Sequence, residues 1–147
     1  PLAQAKGIDI GVEGAQDAQV SSSELDMIAL VKNLIDNAIR YTPEGGRVDL
    51  TVRVSQGYAV LRIQDTGPGI PVAERERVFD SFYRLLGGEQ LGSGLGLAIV
   101  KAIADRGGAN VQLGFSDETK QTGLSVEIRM PLADIPVAIA RPRAMTE

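Results

Sequence analysis

Two alternating runs, Arg47 to Val54 and Tyr58 to Gln64, meet at Gln56-Gly57, and no other feature of the chain restricts its fold as much. Apolar and polar residues exchange at every step of the first run and from Leu61 to Gln64 in the second. Each run therefore reads as a strand, and the short turn makes an antiparallel hairpin with one buried face. Before the hairpin, a helical pattern runs from the cluster Ser21-Ser22-Ser23-Glu24 to about Tyr41. Hydroxyls followed by an acid start helices, although all three serines remain candidates for the cap. Thr42-Pro43-Glu44-Gly45-Gly46 stops this helix, because proline cannot continue it and glycine favours the turn beyond.

A second long helix is predicted from Gly94 to Arg106, with Leu95, Ile99, Ala102 and Ile103 at helical spacing and Gly107-Gly108 at its end. Further strands are expected at Gly7 to Val12, Ala18 to Val20, Ala109 to Phe115 and Leu124 to Met130, and a short helical stretch at Val72 to Phe79. Arg84 to Leu91, with Gly87-Gly88 and little periodicity, reads as a mobile loop. Strands and helices that mix without regular βαβ alternation predict an α+β fold, a mixed two-layer sandwich rather than a doubly wound sheet.

The 147 residues, 44% of them hydrophobic, suit one domain with a substantial core. Residues 1–6 read as a tether, 7–132 as the domain, and 133–147, with Pro136 and Pro142, as a flexible tail. A chain that opens on Pro1 is expected to be part of a longer protein. The formal net charge of -4 and pI of about 4.9 come without any basic block, so nucleic acid is not the expected partner. There is no cysteine and no histidine. Disulfides, thiolate or imidazole metal sites and Ser-His or Cys-His nucleophiles are thereby excluded within the chain, and any metal must be a hard, oxygen-bound ion.

Four segments carry candidate chemistry. Asp65 to Ile70 reads DTGPGI directly after the second hairpin strand. An ordinary strand-ending turn would look the same. As a ligand site, Gly67 and Gly69 can take positive φ and bare the backbone to a flat base, while Asp65 accepts a hydrogen bond from its edge. Adenine presents an amine there and guanine an oxygen, so a buried carboxylate selects ATP over GTP by about 1–3 kcal/mol. On the first helix, Asp26, Asn33, Asn37 and Arg40 share a polar stripe with Asp36 beside it, opposite Met27, Ile28, Val31, Leu34, Ile35, Ala38 and Ile39. Such a stripe is either a solvated face or a pair of amide oxygens that ligate magnesium without cancelling its charge.

Gly92 to Leu97 reads GSGLGL at the start of the second helix, where free N–H groups and the positive helix end favour phosphate. It is neither a Walker A loop nor GxGxxG. Between the glycine segments, Phe79 and Phe82 read as core rings, and Arg84 can reach a terminal phosphate from the root of a flexible loop.

In this order, LVKNLIDNAIRYTP, DTGPGI, RVFDSFYR and GSGLGLAIVKAI resemble the ATP-binding catalytic domain of sensor histidine kinases, of the gyrase, Hsp90, histidine kinase and MutL superfamily. The resemblance spans about Gly7 to Leu132. It implies a Bergerat-type sandwich, with a mainly antiparallel mixed sheet, helices on one face, and Arg84 to Leu91 as a mobile ATP lid. It also implies Mg²⁺ and ATP as ligands. Asn37 matches the magnesium ligand and Asn33 the residue near metal and phosphates. Arg40 matches a phosphate contact and Tyr41 the aromatic beside the base. Asp65, with Gly67, Gly69 and Ile70, matches the adenine-reading segment. Phe79 and Phe82 match the phenylalanine box, and Arg84 the arginine near the γ-phosphate. Gly92, Ser93, Gly94, Leu95, Gly96 and Leu97 match the second glycine box.

Clamp-type ATPases of the superfamily carry a glutamate general base where this chain has Asn33. An amide cannot take that proton, which predicts weak intrinsic hydrolysis. Relatives often have histidine at Arg106, a difference without mechanistic reading. With no histidine in the chain, the phosphoacceptor is expected on a separate dimerisation domain of a homodimeric parent. A response regulator would act downstream, and the domain would lie on the cytoplasmic side of an inner-membrane sensor. The alternatives are a superfamily ATPase driving a conformational clamp and a module that senses ATP or ADP without transfer.

Overall fold

The computed structural model describes residues 6–13, 23–80 and 96–132. Five strands form one sheet: β1 (Asp9–Glu13), β2 (Arg47–Ser55), β3 (Tyr58–Asp65), β4 (Asn110–Gly114) and β5 (Ser125–Pro131), in the order β1-β2-β3-β5-β4. β1 pairs with β2 in parallel and every other pairing is antiparallel. The parallel pair needs a crossover, supplied by helix α1 (Glu24–Tyr41). Helix α2 (Gly96–Arg106) packs beside α1. The fold is the α+β, two-layer sandwich with helices on one face that the sequence predicts. Expectations for Ala18 to Val20, the loop at Arg84 to Leu91 and the tail fall outside the described residues.

Register explains the core. Leu50 opposes Ile63 and Val52 opposes Leu61 across the hairpin, while Ile63 opposes Val126 and Leu61 opposes Ile128 across the next ladder. These side chains join Leu30, Leu34 and Ala38 of α1 and Val100 and Ile103 of α2 in one cluster. The other face is mostly polar around a buried Val60: Arg62 donates to Glu127 at 2.6 Å, and the Arg129 guanidinium lies 5.1 Å from the centre of the Tyr58 ring. Because side chains alternate, Asp65 ends β3 on the helix side, the side of Leu61 and Ile63.

Ser23 resolves the start of α1. Its hydroxyl oxygen accepts the Asp26 N–H at 3.0 Å, leaving Glu24 as the first helical residue. At the other end, the Thr42 N–H and hydroxyl both donate to the Ala38 carbonyl, and the Lys6 ammonium donates to the Ile39 and Arg40 carbonyls at 2.9 and 3.2 Å. Lys6, the last residue of the expected tether, thus binds the carbonyl end of α1, where a cation is favoured.

Three expectations need correction. On α2 the buried residues are Leu97, Val100, Ile103 and Ala104, whereas Ile99 and Ala102 face outward. On α1, Ile28 is exposed and Leu30 buried. Val72 to Phe79 forms two 3-10 turns, Val72–Glu74 and Arg77–Phe79, instead of one helical stretch. Val78 is buried, and Phe79 packs on the core as a ring of that kind should.

Candidate nucleotide site

Asp65 is 3% exposed, and its Oδ1 accepts two backbone N–H groups, from Gly67 at 2.9 Å and Leu124 at 3.0 Å. Its own N–H donates to the Leu124 carbonyl at 3.0 Å. The carboxylate is therefore held by its own turn and by the residue leading into β5. Oδ2 takes no hydrogen bond from any described residue. Burial pushes the carboxyl above its ordinary value of 3.8, and the Leu124 and Gly67 N–H groups pull back less strongly. Oδ2 is not among the buried unpaired atoms, so it remains open to a donor from outside the described residues.

The glycines of the turn do different jobs. Gly69 takes φ +85°, but Gly67 does not take positive φ, contrary to expectation. A Cβ on Gly67 would sit 2.4 Å from the Tyr41 carbonyl oxygen, and one on Gly69 2.7 Å from that of Gly123. A Cβ on Gly123 would come 2.4 Å from the Asp65 carbonyl oxygen. The absent side chains thus let the turn, the end of α1 and the entry to β5 close on one another. The Gly123 N–H donates to the Gly67 carbonyl at 2.7 Å, fixing that contact.

On α1, Asn33 Nδ2 donates to the Ala29 carbonyl at 2.7 Å, which turns the amide oxygen toward Gly96, the first residue of α2. A Cβ there would lie 3.7 Å from Asn33 Oδ1. Asn37 and Arg40 follow along the same face, both half-buried, and Tyr41 ends the helix. The expected stripe narrows, because Asp26 accepts from Arg106 at 2.9 Å and Asp36 pairs with Lys32 at 3.0 Å. No cluster of histidine, cysteine, aspartate or glutamate suited to a metal occurs among the described residues. The neutral amide oxygens of Asn33 and Asn37 fit a hard ion such as magnesium, which shares its shell with phosphate and water.

Structure thus gathers Asp65, Gly67, Gly69 and Tyr41 at one end of α1, with Asn33 beside α2. The side chains of Ile70 and Leu97 lie in the core. Phe82, Arg84, Gly92, Ser93, Gly94 and Leu95 lie outside the described residues. Sequence reasoning missed Gly123 and Leu124, which back Asp65 from 59 residues away. A glycine at the head of an alternating strand was the available signal.

The profile of the family described as "Histidine kinase-, DNA gyrase B-, and HSP90-like ATPase" matches residues 22–134. The chain belongs to this family. Within it, the chain groups with the ATP-binding domains of sensor histidine kinases. It is 43% identical over 115 residues to the sensor protein kinase PmrB of Pseudomonas aeruginosa, covering 76% of this chain and 23% of that protein. It is 35% identical over 144 residues to the swarming motility sensor RssA of Serratia marcescens, covering 97% and 30%. The structure of a mycobacterial sensor histidine kinase, MprB, superposes with a TM-score of 0.81 at 33% identity, covering 89% of this chain and 88% of that one. Full-length ShkA in complex with AMPPNP superposes with a TM-score of 0.75 at 30% identity, covering 90% and 27%. The chain therefore spans less than a third of these full-length kinases. It is a catalytic ATP-binding domain of the histidine kinase type, with no phosphoacceptor histidine of its own.

Proposed function

We propose that this domain binds Mg-ATP and donates the γ-phosphoryl group to a histidine on a separate dimerisation domain of its parent. The observation that carries the reading is Asp65: a buried carboxylate with one oxygen satisfied by backbone and the other left for a donor. The exocyclic amine of adenine is such a donor. Guanine would set an oxygen against it, at a loss of about 1–3 kcal/mol. The AMPPNP bound by ShkA, an ATP analogue, supports an adenine nucleotide as ligand.

From Asp65 the nucleotide would run along α1, its phosphates between the polar face of that helix and the start of α2. Asn33 and Asn37 would hold magnesium there, and Arg40 would contact phosphate. Bound magnesium would offset the triphosphate's negative charge. Arg84 would approach the γ-phosphate, with Phe82 and the glycine segment Gly92 to Leu97 shaping the rest. In the transfer, the bond from γ-phosphorus to the β,γ-bridging oxygen breaks, a bond to an imidazole nitrogen forms, and ADP leaves. The imidazole proton goes to a base on the acceptor domain. Asn33 has no basic group with which to activate water, so transfer is favoured over hydrolysis. The parent would be a homodimer signalling to a response regulator. No helix among the described residues is long and apolar enough to cross a membrane, and we place this domain on the cytoplasmic side of an inner-membrane sensor.

The test mixes this domain and Mg-ATP with a histidine-bearing dimerisation domain from the same parent. Acid-labile phosphate should appear on the partner. ATP binding without transfer would favour a nucleotide-sensing module, and rapid hydrolysis by the domain alone would favour a clamp ATPase.

A further inference from the structure

Arg75 is used by none of the chemistry above, yet its side chain is held by two carbonyls and an aromatic ring. It follows the first 3-10 turn, five residues beyond Ile70. Its Nε donates to the Ile70 carbonyl at 3.2 Å and its Nη1 to the Leu113 carbonyl at 3.3 Å. The guanidinium carbon lies 4.6 Å from the centre of the Phe115 ring. That ring also backs the DTGPGI turn, because a Cβ on Gly69 would meet its Cδ1 at 3.0 Å. Nη2 is the single buried side-chain nitrogen or oxygen without a hydrogen-bond partner among the described residues.

A half-buried cation with no carboxylate partner and one buried, unsatisfied nitrogen is a poor device for stability. A leucine would fill the same apolar contact without desolvating a charge. What leucine cannot do is fix two carbonyls from different segments against one planar fork. One carbonyl closes the DTGPGI turn. The other ends the strand residue two before Phe115. Arg75 thus grips the turn directly through Ile70 and indirectly through the ring under Gly69.

We infer that Arg75 is a positioning residue for the base end of the site, setting the placement of the DTGPGI turn, and so nucleotide affinity, without touching the nucleotide. The inference rests on the reading of Asp65 as the adenine contact. Its effect belongs to the base, so it should be shared by every adenine ligand and be independent of magnesium.

The experiment compares the wild-type domain with Arg75→Leu, Arg75→Lys and Asp65→Asn. Thermal midpoints are read alongside dissociation constants for adenosine and for ATP, with and without magnesium. Arg75→Leu should keep or raise the midpoint while weakening adenosine and ATP by the same factor, roughly fivefold, the order of one lost hydrogen bond. Arg75→Lys keeps the charge but not the fork, and should weaken binding similarly. A lowered midpoint with unchanged affinity would make Arg75 a structural strut and overturn the inference. So would full retention of affinity in Arg75→Lys, or a loss seen with ATP and absent with adenosine. If Asp65→Asn weakens adenosine while Arg75→Leu does not, this inference alone fails. If Asp65→Asn leaves adenosine binding unchanged, the assignment of the base contact fails and takes this inference with it.

Discussion

The two ends of the α1 face are built on different principles. At the end proposed for the base, three stretches of backbone meet around one buried carboxylate, and Gly67, Gly69 and Gly123 have no room for a side chain. At the end proposed for phosphate, the half-buried Asn33 sets its amide oxygen beside the start of α2, with the half-buried Asn37 one turn along the same helix. The first arrangement discriminates by geometry, because a misplaced donor or acceptor there stays unpaired. The second suits a charged, hydrated group, whose binding depends on field and ion more than on a fixed outline.

Gly67→Ala should separate the two ends most forcefully. With its Cβ directed at the Tyr41 carbonyl, the turn must lift from the helix, at about 2–3 kcal/mol. The thermal midpoint should fall by roughly 10 °C. An unchanged midpoint would show that the corner yields easily and the contrast is overstated.

Asp65→Asn should weaken binding while leaving the fold in place. The amide oxygen can still accept from Gly67 and Leu124, but an NH₂ group then faces the base. Affinity for ATP should fall roughly 30-fold, about 2 kcal/mol, by titration calorimetry. Folding stability should move the other way. Because burial raises the native carboxyl above 3.8, its contribution to folding is full below that value. It is lost as pH rises through the raised native value. The variant lacks this loss, so its stability relative to the wild type should grow with pH across that window and then level off. A difference independent of pH would contradict the raised value.

Asn37→Ala tests the phosphate end. It should weaken ATP roughly tenfold with magnesium and hardly at all without it. An equal loss in both conditions would remove the distinction between the ends. Arg106→Ala should do least. Its pair with Asp26 is half-exposed, with side chains 60% and 32% accessible, and should contribute no more than about 0.5 kcal/mol by chemical denaturation. ATP affinity should stay unchanged, because the pair ties α1 to α2 away from Asp65.

What could be read from sequence divides along similar lines. The hairpin was legible because a period of two over Arg47 to Val54 and Tyr58 to Gln64 has no helical interpretation. The ends of α1 were legible because Ser23 and Pro43 act on their immediate neighbours. The inward face of α2 was not, since nearly every residue from Gly96 to Ala104 is apolar and several stripes fit equally well. Likewise, nothing local to Asp26 announces Arg106, 80 residues away, so Asp26 joined the stripe of ligand candidates. DTGPGI was recognisable as a turn, but its backing by Gly123, Leu124 and Phe115 arises only when β5 and β4 join the sheet.

The close approach at Gly67, Gly69 and Gly123 bears on how such a domain can diversify. No amino acid is smaller than glycine, so this corner has nowhere to move in sequence space that leaves its backbone in place. Inheritable adjustment of how the domain holds a base is pushed outward, to positions where side chains of several sizes can be tried: Arg75, Phe115 and Leu124. Related domains that share the corner yet differ in their grip on the nucleotide should carry their differences in that surrounding ring.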